Sequence, residues 1–200
     1  MKNIDKVRDS ILESAAYFFD RFGYEKTSVD DIAHRVHKAK SSVYYHFSGK
    51  LELFKTVLEH EIDSIRCGLN AVKAKYDVIS GQELEEYFMV RIRLITAAKV
   101  YRQYVLSSYM LGRNEVSEAV DEVRKKLDDD EYAFFLEVCR TGKEKNIFPE
   151  AVSPEIFGNM MLLVLKGIEI QLFDTDDIAK MEETYKAMLE VLMFKIYKNN

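Results

Sequence analysis

Two short amphipathic segments set side by side constrain this chain more than any other feature. From Ser28 to Phe47 it runs SVDDIAHRVHKAKSSVYYHF, in which Val29, Ile32, Ala33 and Val36 share one helical face while Val43 and Phe47 share another. Too little chain lies between them for a crossover to a parallel strand, and neither segment is long enough to hold a helix alone. They must cross closely over a common partner, which is helix-turn-helix geometry.

In that arrangement the unpacked side of the second helix carries Lys40, Ser41, Ser42, Tyr45 and His46, with Lys38 just before it. Cationic, hydroxyl and phenolic groups suit phosphate oxygens and base edges, and a protruding helix fits a B-DNA major groove. The same residues also fit an ordinary polar surface helix, and the pattern alone leaves both readings open.

The run T-S-V-D-D-I-A, then a turn, then S-S-V-Y-Y-H-F-S-G-K-L-E-L-F, resembles the DNA-binding domain of the TetR family of bacterial transcriptional regulators. Thr27, Ser28, Ile32, Ala33, Tyr44, Phe47, Lys50, Leu53 and Phe54 fall on positions of the family pattern. The resemblance implies a phosphate contact at the start of the second helix, where Thr27 and Ser28 match. The expectation is that Tyr44, Tyr45, His46 and Lys50 join them on the DNA backbone while Lys40, Ser41 and Ser42 read bases. Lys38, which departs from the family's Val, is expected to cover that apolar site with its stem and reach a phosphate with its ammonium. The turn departs from the family's Ala-Gly-Val-Ser, carrying Val36, His37, Lys38 and Ala39. Glycine there permits a positive φ and serine would cap the next helix, so His37 must tolerate that backbone or the turn must change.

Only two Pro and eight Gly interrupt 200 residues whose apolar positions recur at helical spacing, without alternating β-branched strands. The expectation is an all-α protein. The net charge of −5 looks wrong for a DNA binder until it is divided along the chain. Residues 1–50 hold nine Lys and Arg against seven Asp and Glu, leaving twenty against twenty-seven of the chain's 29 basic and 34 acidic residues for the remainder. The segment meant to meet DNA is basic and the rest would be repelled by it. MKNIDKVRD lacks the apolar core of a signal peptide, and the longest apolar run, Met160 to Leu165, is too short to span a bilayer, which points to a soluble cytoplasmic protein. Cys67 and Cys139 lack partners at motif spacing and read as two buried thiols in a reducing compartment.

Ile4, Val7, Ile11, Ala15, Phe18 and Phe22 mark a first helix stopped at Gly23, with Phe18, Phe19 and Phe22 as the floor under the two short helices. Thr27 and Asp30 stand at capping-box spacing. Lys50 opens a helix of roughly 25 residues, near 40 Å long, marked by Phe54, Val57, Leu58, Ile62, Ile65, Leu69, Val72 and Tyr76. Ser80 and Glu83 suggest another capping box before a stripe of Leu84, Tyr87, Phe88, Arg91, Ile95 and Ala98. Arg91 is anomalous there: it must reach water, pair with a carboxylate, or anchor a ligand. Asp128-Asp129-Asp130-Glu131 lacks the spacing of a calcium loop and reads as a solvated acidic face. Asn146 and Pro154 bracket a loop before a helix bearing Ile156, Met160, Leu163, Val164, Gly167 and Ile168. The last helix carries Tyr185, Leu189, Leu192 and Met193.

The expected organisation is therefore a helix-turn-helix domain over 1–49 and a helical effector-binding and dimerisation domain over 50–200. The resemblance implies a ligand pocket, for which Ile62, Tyr87, Phe88, Arg91, Tyr104, Tyr109, Phe135 and Cys139 are the candidates. Met160, Val164, Gly167, Tyr185, Leu189, Leu192 and Met193 are the candidates for a dimer interface built as a four-helix bundle. The four His residues, at 34, 37, 46 and 60, form no metal or catalytic motif, so neither an enzyme nor a metal or cofactor is expected. The expected function is a ligand-responsive homodimeric repressor on a pseudo-palindromic operator. The rival is an all-helical sensor or scaffold without sequence-specific DNA binding.

Overall fold

A computed structural model describes residues 2–76, 81–110, 113–173, 182–188 and 190–191, and no strand occurs among them. Eight helices follow in order: α1 (Lys2–Lys26), α2 (Val29–Arg35), α3 (Lys40–His46), α4 (Lys50–Lys73), α5 (Gly81–Ala97), α6 (Lys99–Met110), α7 (Glu115–Glu144) and α8 (Pro154–Phe173). A further helical stretch covers 182–188. The capping box expected at Ser80 lies outside the described residues, as do Leu189, Leu192 and Met193 and the side chain of Tyr109.

The chain divides into two units, one of Met1–Asp63 with Ala98–Val123 and the other of Ser64–Ala97 with Arg124–Asn200. In the first, the stripes of α1 and α4 bury Ile11, Ala15, Phe19, Leu53, Phe54 and Leu58, over which Ile32, Ala33, Val43 and Phe47 of the short helices close. Ser14 Oγ donates to Ile32 O at 3.1 Å inside this core, tying α1 to α2. Tyr24 joins four helices. Its N–H donates to Tyr104 Oη of α6, its C=O accepts from Lys50 Nζ of α4 at 2.9 Å, and its hydroxyl donates to Glu115 of α7 at 3.1 Å. Burial pushes the Tyr24 phenol up, and Glu115 beside it adds to the shift.

Phe22 does not join the floor expected of it and is 46% exposed. The backbone leaves helical geometry at Gly23 (φ 81°), so the last turn of α1 swings away and Tyr24 takes the buried position instead. The first capping box is also displaced by one residue. Ser28 is the N-cap and Asp31 its partner, while Thr27 Oγ1 donates to Gly23 O at 2.7 Å and closes α1.

In the second unit, Tyr87 and Phe88 of α5, Phe134 and Phe135 of α7 and Phe157 of α8 form a continuous aromatic cluster. Tyr87 stacks on Phe134 with ring centroids 4.5 Å apart. Beside it lies a fully buried set of charges. Arg91 donates from Nε to Glu131 at 2.5 Å and from Nη2 to Glu131 at 3.0 Å, and also to Glu169; Arg124 donates to Glu169 as well. Of the three options for Arg91, the ion pair is the one observed. The acidic run is not a solvated face: Glu131 is 1% exposed, Asp128 pairs with Arg124 and Lys166, and Asp130 pairs with Arg66. Cys139 is buried as expected but Cys67 is exposed, because it stands off the Ile62, Ile65, Leu69 stripe of α4.

Candidate nucleic-acid interface

The interface begins with how a seven-residue helix is started and stopped. Ser28 Oγ accepts from the Asp31 N–H while the Asp31 carboxylate accepts from the Ser28 N–H, so α2 starts with both orphan donors satisfied. At its other end Lys38 N–H donates to Ala33 O at 3.0 Å and His37 N–H to His34 O at 3.1 Å, the paired bonds of a Schellman turn. That turn needs a left-handed residue after the cap, and His37 supplies it at φ 53°. The missing glycine therefore alters the stability of the turn and leaves its path intact. α3 then starts from Ala39 with no side-chain cap and ends at Phe47, whose ring is buried and receives the Arg8 guanidinium at 5.1 Å.

Only Val43 of α3 is buried, so the exposed side of the helix is free to face a groove. Lys38, Lys40, Ser41, Tyr44 and Tyr45 are exposed, the last two at 49% and 74%, and Ser42 and His46 are half-buried. Ser28 is exposed beside them, committed to its capping box. Thr27 stands apart, 2% exposed with its hydroxyl given to Gly23 O. Lys50 is half-buried and lies 4.2 Å over the Tyr24 ring, its ammonium donating to Tyr24 O. Lys40 has a partner that sequence reasoning missed: Asp30 of α2, at 2.7 Å. The signal was the shared N-terminal position of the two residues on helices that must cross.

The residues assigned to a ligand pocket fall in both units. Tyr87, Phe88, Arg91, Phe135 and Cys139 belong to the second, where Tyr87, Phe88 and Phe135 share the aromatic cluster and Tyr87 donates to Glu131 at 3.2 Å. Burial pushes the Tyr87 phenol and the Cys139 thiol up. Ile62 and Tyr104 belong to the first, Tyr104 packing edge-on to Phe54 at 4.8 Å. Arg91 is held charged: burial works against it, but Glu131 and then Glu169 outweigh that. Burial alone would raise Glu169, yet Arg124 and Arg91 hold it below the usual carboxylate range. Arg91 Nη1 finds no acceptor among the described residues.

On α8 the residues Ile156 (70% exposed), Met160 (37%), Leu163 (73%), Gly167 and Ile170 (40%) recur along one uncovered side. A Cβ on Gly167 would meet nothing within 4 Å, so another helix could approach closely there. Val164 is half-buried behind this stripe. Tyr185 is enclosed within the chain, its hydroxyl donating to Ile168 O at 3.0 Å, and burial pushes its phenol up to about 12.

Residues 11–57 match the model of the bacterial regulatory proteins of the tetR family. The chain is 24% identical over 180 residues, 89% of its length and 90% of the relative's, to IcaR of Staphylococcus aureus, a negative transcriptional regulator of the biofilm operon icaADBC. Among solved structures, the complex of SmeT with triclosan superposes with a TM-score of 0.74 at 15% identity, covering 96% of this chain and 92% of that one. A TetR/AcrR-family regulator from Thermobifida fusca superposes with a TM-score of 0.69 at 21% identity, covering 94% and 97%.

Proposed function

Because the chain is a member of the TetR family of bacterial transcriptional regulators, we propose that it is a homodimeric, ligand-responsive repressor of a pseudo-palindromic operator. The observation that carries the reading is α3 itself, a helix buried at one residue and open along its polar side. Two such helices, one per protomer, would enter successive major grooves about 34 Å apart. Lys40, Ser41 and Ser42 read bases. Tyr44, Tyr45, His46 and Lys38 hold phosphates. Thr27, Lys50 and Ser28, which are spent on α1, on Tyr24 and on the capping box of α2, act by fixing the frame. IcaR, a negative regulator matched along nearly its whole length, supports repression.

The uncovered α8 stripe supports dimerisation through α8 and the helix after it. That no helix among the described residues is long and apolar enough to cross a membrane is consistent with action in the cytoplasm. The aromatic cluster of the second unit supports an apolar effector, as does the ligand-bound state in which SmeT was solved. Two arginines there already face two glutamates, and Arg91 Nη1 lacks an acceptor among the described residues, which favours an effector offering a neutral acceptor over a carboxylate. The effector shifts DNA affinity only by as much as it prefers one conformation over the other.

The test is to incubate the protein with fragmented genomic DNA of its source at two salt concentrations and sequence what is retained. A two-fold symmetric site recovered at both supports the reading. Retention of everything at low salt and nothing at higher salt means phosphate attraction alone and refutes it.

A further inference from the structure

Asp30 and Lys40 meet where α2 and α3 begin, Oδ2 to Nζ at 2.7 Å, with the lysine side chain 48% exposed and the aspartate 63%. Folding does not account for the pair, since exposed ion pairs contribute little to stability. Nor is Asp30 needed to start α2, because the neighbouring Asp31 fills the capping box with Ser28. What remains is the position of the pair, on the side of the molecule that presents Ser41, Tyr44 and Tyr45. A bare carboxylate there would repel phosphates. A bare lysine on a flexible stem would swing to whichever phosphate is nearest, adding affinity for every sequence alike.

Paired, the two behave differently. The carboxylate cancels most of the ammonium's attraction for distant phosphates and holds the stem in one direction; Lys40 is correspondingly kept charged, by the hydrogen bond to Asp30 and by its charge. An ammonium has three N–H donors, so the bond to Asp30 leaves two for a base edge. Two acceptors side by side in the major groove are what guanine presents through O6 and N7.

We propose that Asp30 is a specificity-determining positioning residue, which holds Lys40 so that it reads a guanine in each half-site instead of gripping the phosphate backbone. The inference rests on the DNA-reading role proposed above for α3. The tyrosines of α3 give affinity and register, its serines read bases of their own, and the pair from α2 and α3 converts a charge into discrimination at the guanine.

The experiment is selection from a random-sequence duplex library with the native protein and the variants Asp30→Asn, Asp30→Glu, Lys40→Ala and the double variant Asp30→Asn/Lys40→Ala, with salt titrations on a scrambled duplex. Lys40→Ala should abolish preference for one guanine per half-site. Asp30→Asn should weaken that same preference at least about threefold while the other positions stay selected, and should steepen the salt slope on scrambled DNA by roughly one as Lys40 turns to phosphate. Asp30→Glu should keep the preference, and Asp30→Asn should add nothing to the selected sequence once Lys40 is gone. Loss of a negative charge acts on all sequences alike and cancels in the preference. An unchanged guanine preference in Asp30→Asn, or equal weakening at every position, overturns the proposal while leaving the regulator reading standing. A native protein that selects no sequence overturns both.

Discussion

Replacing Glu169 by Gln tests the energetics of the second unit most directly. Glu169 is wholly buried and accepts from both Arg91 and Arg124. The amide has almost the same shape, but it removes one of two buried negative charges from two buried guanidiniums and can turn a donor towards a donor. Removing one partner of a buried pair costs roughly 3–5 kcal/mol, because the charge left behind has lost its compensation. In a chain of 200 residues that lowers the melting temperature by about 6–20 °C. Calorimetry at one fixed protein concentration measures it, since association would otherwise shift the midpoint. Glu122→Gln is the control: its partner is Lys55 at the surface, with Glu122 67% exposed, and its loss should stay below about 1 kcal/mol and shrink further in high salt. The pH dependence has a definite sign. Glu169 titrates below its ordinary 4.5 in the folded state, so its contribution is complete above that value and disappears as pH falls through the folded pKa. The gap between native and variant should thus stay constant down to about pH 5 and close in stronger acid. A loss under about 1 kcal/mol, or one that salt reduces as it does for Glu122→Gln, would refute the account of a desolvated charge network.

Four further outcomes follow from particular residues. His37→Gly should raise stability by about 1 kcal/mol in urea denaturation, because only glycine takes φ 53° without a Cβ penalty, and His37→Val should lower it. Gly142→Ala should cost about 1–3 kcal/mol in the same assay, since its Cβ would run into the buried Phe148 ring. A thiol reagent should label Cys67 in the folded protein and Cys139 only on unfolding, as quantified by mass spectrometry, because Cys67 is exposed whereas Cys139 is buried and its thiol is pushed up. Leu163→Glu, on the uncovered stripe of α8, should yield monomers by sedimentation velocity while helicity is kept; dimers at unchanged strength would remove α8 from the interface.

The helix-turn-helix was legible because everything that specifies it is local. Val29, Ile32, Ala33, Val43 and Phe47 sit on faces fixed by helical periodicity, and all five are buried. The turn was legible too, as a demand for a positive φ that His37 meets. What failed were readings that extended a pattern across a break or ignored direction around a helix. Phe22 continues the spacing of Phe18, but the backbone departs at Gly23 and the stripe ends one turn early. The acidic run was read as one feature, although four consecutive helical residues point in directions 100° apart. Glu131, spaced four from both Leu127 and Phe135, therefore turns inward with them. Asp30 was passed over for a different reason. Its partner lies on another helix, and only the crossing of α2 and α3 brings the two together.

The buried charges give that limit a constructive form. Arg91 stood out because it interrupts an apolar stripe, where a guanidinium needs water, a carboxylate or a ligand, and the fold supplies the carboxylate. The same test applied along the chain finds Arg124 and Glu131 on the buried side of α7, seven residues apart, and Glu169 just before Ile170 on the most apolar helix. Two cations and two anions, each unaccountable alone, balance when taken together, so the sequence does contain the requirement that they meet. It does not contain the pairing. That Glu169 takes both arginines while Glu131 takes Arg91 and the Tyr87 hydroxyl is decided by how α5, α7 and α8 pack, and the pairing in turn restricts them to one register. An effector that enters among these helices must therefore leave the network intact or replace its bonds one for one, and that requirement limits its chemistry more tightly than the aromatic lining does.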